Sequence, residues 1–144
     1  MEDRYLFKAK RVDNGEWVQG ALLDGESHCL IGQEIKFSPY VENECKIVGY
    51  EVDRDTICQC TGLKDKNGKM IWENDIVKRN FYLYSSETKY EERENCGIVK
   101  YDKEYARFGY QCSVFAMLSE SQKHDTIEVI GNIFDNPELS ESEG

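Results

Sequence analysis

The stretch Lys64-Asp65-Lys66-Asn67-Gly68-Lys69-Met70-Ile71 decides the fold class. Asn-Gly lies between a strand-like run over residues 57–63 and another that begins near Met70. Both residues tolerate the positive φ that a tight type I′ hairpin turn demands. The same device occurs earlier, at Val12-Asp13-Asn14-Gly15-Glu16. There Tyr5, Phe7 and Ala9 alternate before the turn, and Trp17, Gln19, Ala21 and Leu23 alternate after it. Two such hairpins in one short chain predict antiparallel sheet.

Residues 30–37 and 46–52 read as further strands, with Lys46, Val48, Tyr50 and Val52 on one face. Asp75-Ile76-Val77-Lys78 leads into Phe81-Tyr82-Leu83-Tyr84. Residues 85–95 are dense in charge and lack apolar periodicity, which predicts an exposed loop. Gly97-Ile98-Val99-Lys100-Tyr101 restarts strand chemistry, and residues 111–118 supply another run. Residues 126–134 carry Ile127, Val129 and Ile133 on one face and Ile130 and Phe134 on the other, which predicts a central or fully covered strand. No long segment sustains the helical i, i+3, i+4 pattern. The expected fold is mostly β: an N-terminal β-meander followed by a small SH3-like barrel in the C-terminal half. The expected organisation is one domain over residues 1–137, with a sheet at 1–55 and a barrel at 56–137. Pro137 blocks the last strand, and residues 138–144 read as a flexible acidic tail.

The 144 residues suit one domain, and 40% hydrophobic content is enough for a core. The formal net charge is −10 and the pI about 4.7. That balance disfavours a broad nucleic-acid footprint and adsorption to anionic lipid. Met1-Glu2-Asp3-Arg4 opens the chain without an apolar signal region, and no apolar run approaches the ~18–20 residues that span a bilayer. A soluble cytoplasmic protein is expected, with Cys29, Cys45, Cys58, Cys60, Cys96 and Cys112 as reduced thiols.

Each constellation with chemical potential has a plainer reading beside it. Cys58-x-Cys60 puts two thiols on one strand face, but zinc asks for about four ligands and no second close pair occurs. His28 beside Cys29 suggests a base and a nucleophile, yet neighbours on a strand point to opposite faces. His124-Asp125 reads as surface, and the acid pairs Asp53/Asp55 and Glu91/Glu92 carry no information in so acidic a chain. P-loop, G-x-G-x-x-G, H-E-x-x-H and G-x-S-x-G motifs do not occur. Trp72, Tyr82, Tyr84, Tyr101, Tyr105 and Tyr110 offer a stacking platform for single strands, flanked by Lys64, Lys66, Lys69, Lys78, Arg79, Lys100 and Arg107. The acidic surface equally suits mimicry of nucleic acid aimed at a basic host factor. No catalytic, metal or cofactor residue is assigned, and no binding surface is chosen.

Two segments resemble the signatures of the YopX family of phage and prophage proteins. One runs from Cys58-Gln59-Cys60-Thr61-Gly62-Leu63 through Met70-Ile71-Trp72-Glu73-Asn74-Asp75-Ile76-Val77. The other is Glu128-Val129-Ile130-Gly131-Asn132-Ile133-Phe134-Asp135-Asn136-Pro137-Glu138-Leu139. The opening Phe7-Lys8-Ala9-Lys10 through Gly15-Glu16-Trp17-Val18-Gln19-Gly20 is similar too. Asn74 replaces a usual Gly, and Cys60 replaces a usual aromatic. The resemblance implies a small β protein of phages and prophages and supplies no catalytic residues. The resulting expectation is a non-enzymatic accessory protein in the bacterial cytoplasm. It would act by protein binding or self-assembly as a homo-oligomer, with a host or phage protein as a further partner. Nucleic-acid binding by a small barrel, or acidic mimicry, is the alternative.

Overall fold

The computed structural model describes residues 2–84, 87, 89–111 and 115–141. The chain is mostly β: 58% of the described residues are in strands and 8% in helices, and the strands form two antiparallel sheets. It divides into two compact units, Met1–Cys60 and Thr61–Gly144. The boundary falls inside a strand, five residues beyond the 55/56 division read from the sequence.

The first unit contains β1 (Phe7–Lys10), β2 (Trp17–Asp24), β3 (Cys29–Phe37), β4 (Cys45–Glu51) and the start of β5 (Cys58–Lys64). The order is β4-β3-β2-β1-β5. Alternation places Ala9, Cys29, Ile31 and Val52 in a core, against which Phe7, Val18, Leu22 and Ile57 pack. The end of β4 returns to β1: the amide N–H of Val12 donates to Glu51 O, and that of Asp53 to Lys10 O.

The second unit contains the end of β5, then β6 (Met70–Trp72), β7 (Asp75–Leu83), β8 (Glu91–Asp102), β9 (Arg107–Gln111), β10 (Phe115–Met117), β11 (Asp125–Asn132) and α1 (Pro137–Glu141). Its main sheet is ordered β10-β9-β8-β7-β11. Ile71, Val77, Val99, Tyr110, Leu118 and Ile127 form its core, with Leu63, Phe108 and Val129 packed against them.

Several expectations change in detail. Both Asn-Gly turns exist, but only Gly15 and Gly68 take positive φ, at 72° and 79°. At the second, Gly68 N–H donates to Asp65 O and Asp65 N–H to Lys69 O, a three-residue loop with glycine in the left-handed position. The type I′ geometry read from the sequence is therefore replaced by a longer turn that needs only the glycine. The charged segment expected as a loop enters β8 at Glu91, where Leu83↔Glu91 through Arg79↔Asn95 pair with β7. Ladder hydrogen bonds there form whatever the side chains, which stay largely in water. The run over 111–118 is split between β9 and β10, with residues 112–114 outside the described residues. β11 is an edge strand, not a central one, although Lys66 N–H donates to Ile127 O on it. Among the described residues the sheets close no barrel, so the SH3-like closure expected for 56–137 does not appear. Of the acidic end, Pro137–Glu141 is a short helix, and residues 142–144 lie outside the described residues.

Candidate interaction surface

β2 pairs with β3 only from Ala21↔Gly32 to Asp24↔Cys29. Beyond Gly32, residues 34–37 of β3 pair with residues 45–48 of β4, and β4 ends the sheet. This outer hairpin is a two-stranded arm, and among the described residues no third strand joins it. A register shift between Gly32 and Glu34 marks its root, where Gln33 is the extra residue of a bulge. Gly49 makes that shift possible: a Cβ there would lie 2.4 Å from Ile31 O.

The bulge decides what the arm displays. Ile31 pairs with Tyr50, whereas Ile35 pairs with Ile47 and Phe37 with Cys45, so parity along β3 inverts. Ile35 and Phe37 thus leave the core-facing side of Ile31 and are 58% and 73% exposed. Leu6, Ala21, Leu23, Gly32, Ile35 and Ile47 line a shallow groove of about 330 Å³ on that outer face. At the tip, Ser38 N–H donates to Glu44 O, and Ser38 Oγ accepts from the amides of Tyr40 and Val41. Asn43 completes the turn at φ 62° and Tyr40 projects at 93% exposure. Lys36 and Lys46 nearly offset Glu34, Glu42 and Glu44, so the arm is close to neutral on a chain of net charge −10. A strict period-two reading keeps Ile35 and Phe37 in phase with Ile31, which is why the sequence does not disclose this surface.

The residues singled out from sequence fall elsewhere. Cys29 Sγ donates to Asp24 Oδ1 at 3.2 Å, while His28 Nδ1 lies 2.7 Å from Glu51 Oε1. Burial, and then the bond to Asp24, push the Cys29 thiol up, the opposite of what a nucleophile needs. Asp24 is held low by that thiol and by Arg54, which also donates to Gly25 O. Cys58 and Cys60 are buried, with Cys58 Sγ donating to Thr56 O. Among the described residues no three His, Cys, Asp or Glu side chains gather as metal ligands; Cys112 lies outside them.

The six aromatic residues do not form one platform. Trp72 and Tyr110 are buried. Tyr101 packs edge-on to Phe108, Tyr82 to His124, and Tyr84 to Tyr90, while Arg107 covers Tyr105. Several flanking cations are engaged: Lys66 with Glu128 at 3.2 Å, Lys100 with Asn74 at 2.6 Å, and Arg79 with Asp125. The Asp125 carboxyl is held low by the Arg79 hydrogen bonds.

The two signature segments serve the fold. Buried Asp65 accepts from the amides of Asn67, Lys69 and Val129, which ties the β5–β6 turn to β11. Burial pushes its carboxyl up, but those three donors outweigh it and hold it below the usual carboxylate range. Asn74 takes φ 69°, as its replacement of Gly suggests, and its carbonyl accepts from Ile133 N–H. Asp75 Oδ2 accepts from Trp72 N–H. Asn132 Oδ1 accepts from the amides of Phe134 and Asp135, and Asn136 Oδ1 from Asn132 N–H.

These features define a class: a mostly β chain of two antiparallel sheets whose distinctive segments knit turns to strands. The chain belongs to the YopX family, whose model, described as YopX protein, matches residues 6–141. It is similar to protein EF1440 from Enterococcus faecalis, known from a crystal structure, at 31% identity and a TM-score of 0.58. That similarity covers 92% of this chain and 95% of the other. No curated protein matches the chain. No helix among the described residues is long and apolar enough to cross a membrane.

Proposed function

We propose that this chain is a phage or prophage accessory protein that acts without catalysis, by protein binding or self-assembly, in the bacterial cytoplasm. The observation that carries this reading is the β3–β4 arm, which exposes Ile35, Phe37 and Ile47 and which no third strand joins among the described residues. A two-stranded hairpin is marginal in water, and a contiguous exposed apolar patch commonly marks an interaction site. The engagement of the signature residues in turn and strand bonds, and the raised Cys29 thiol, favour binding over chemistry. Sedimentation velocity of the purified chain, beside capture from host lysate by wild type and by a Phe37→Ser variant, tests this. Association or capture that depends on Phe37 is expected. A monomer whose captures are indifferent to Phe37, or a hydrolytic activity that survives repurification, would sink the reading.

The alternative is nucleic-acid binding by the second unit, or acidic mimicry of nucleic acid. It draws on exposed Tyr82, Tyr84 and Tyr90, and on a β7-β8-β9-β10 meander flanked by β11, a strand order suited to an SH3-like barrel. Electrophoretic shift of short oligonucleotides at ~0.05 M and ~0.2 M salt separates the readings, because phosphate contacts give a steep salt slope.

A further inference from the structure

We infer that two copies of this chain pair antiparallel through their β4 edges, about a two-fold axis at Ile47. This deepens, and rests on, the self-assembly reading of the arm. The backbone directions along β4 follow from three hydrogen bonds. Glu44 O accepts from Ser38 N–H, and Val52 N–H donates to Cys29 O, so even-numbered residues address β3. Glu51 O faces the other way and accepts from Val12 N–H. By alternation, Cys45, Ile47 and Gly49 point their N–H and C=O groups away from β3, at the open edge.

An open edge of three outward residues is satisfied by itself in one register. With Ile47 opposite Ile47, the two residues exchange both of their bonds, and Cys45 of each copy does the same with Gly49 of the other. A shift by one residue would oppose outward groups to inward ones. In this register the side chains agree with the backbone. Ile35, Ile47, Ile47 and Ile35 form one row of exposed apolar side chains across the axis. Gly49 leaves room beside Cys45 and the adjacent Phe37 ring. Lys46 meets Val48, so no like charges stand opposite each other.

Charge supports a second copy as the occupant. The paired ladder ends at Cys45 and Gly49, because the next outward group, Glu51 O, is already taken by Val12 N–H of the same chain. A parallel arrangement would align Lys46 with Lys46 and Glu51 with Glu51. The arm itself is nearly neutral, so two chains of net charge −10 meet there with little local repulsion.

The test uses the full chain and three variants, with circular dichroism and thermal melting to verify folding. Sedimentation equilibrium should show a dimer. Ile47→Pro removes one outward N–H and leaves the bonds to β3 in place, so it should fold and raise the dissociation constant by roughly tenfold or more. Ile47→Lys opposes two ammonium groups on the axis and should act in the same direction. In a Cys45→Ser background, Ile47→Cys should form an intermolecular disulfide on mild oxidation, since a hydrogen-bonded pair has Cα atoms about 5.5 Å apart. Tyr40→Cys should not, because the two-fold axis sends the loop tips apart. A chain that stays monomeric throughout would overturn both this inference and the self-assembly reading. Assembly unaffected by Ile47→Pro and Ile47→Lys, or cross-linking at Tyr40→Cys in place of Ile47→Cys, would overturn the β4 pairing alone.

Discussion

The β3–β4 and β5–β6 hairpins are built from similar strands and end in opposite circumstances. The β5–β6 turn is stitched down: one carboxylate, Asp65, binds two amides of its own loop and a third on β11. The β3–β4 tip is also well bonded, through Ser38, but every one of its bonds is local. Local bonding shapes a turn, while bonding to a distant strand makes it part of a core. A well-formed hairpin is therefore no sign of a supported one. The unsupported hairpin is the one that carries the exposed apolar side chains.

Asp65→Ala should separate the two hairpins most sharply, since it leaves three amides without their acceptor. A loss of about 3 kcal/mol in chemical denaturation is expected; a loss below ~1 kcal/mol would mean that the stitch is incidental. The pH dependence has a definite sign. Folding depresses the carboxyls of Asp65 and Asp125, so the stability they contribute is complete above their unfolded values near pH ~4. It is lost as pH falls through the lower folded values. Asp65→Asn should therefore give a shallower acid limb in stability plotted against pH, and an unchanged limb would remove Asp65 from the account.

Gly68→Val comes next. The position holds φ 79°, which a β-branched residue resists, and a cost of ~1–2 kcal/mol is expected from thermal melts. The smallest effect belongs to the arm. Ile35→Ser with Phe37→Ser, measured on dilute chain, should change stability by no more than about 0.5 kcal/mol, because neither side chain is buried. A cost comparable to that of Asp65→Ala would show that the arm is supported after all and erase the contrast.

Much of the fold is legible in the sequence because it depends on local chemistry. Asn14-Gly15 and Asn67-Gly68 announce their turns, and the runs at 30–37 and 46–52 fall within one residue of β3 and β4. The start of β8 at Glu91 is hidden, since Glu91-Glu92-Arg93-Glu94 gains its place from backbone pairing with β7 and has no apolar rhythm. The edge position of β11 is hidden for the converse reason: its apolar residues on both faces look central, and Asp65 and Lys66 tend its open side. The candidate surface itself was illegible, since it depends on one extra residue at Gln33. Period-two reasoning has no means of detecting a bulge that Gly49 merely permits.

That bulge makes the arm behave like a reading frame. Deleting Gln33 would remove the bulge yet leave Ile35 opposite Ile47 and Phe37 opposite Cys45, on the face they hold now. Drawing Gln33 into the ladder would instead slip the register by one and turn Ile35 and Phe37 toward the side of Ile31, while every residue of β4 kept its own direction. Insertions beyond it would count by parity: one residue inverts everything distal, and a matched pair in each strand only lengthens the ribbon by about 7 Å. Length in this appendage is therefore free to drift in steps of two, whereas single-residue steps exchange its inside for its outside.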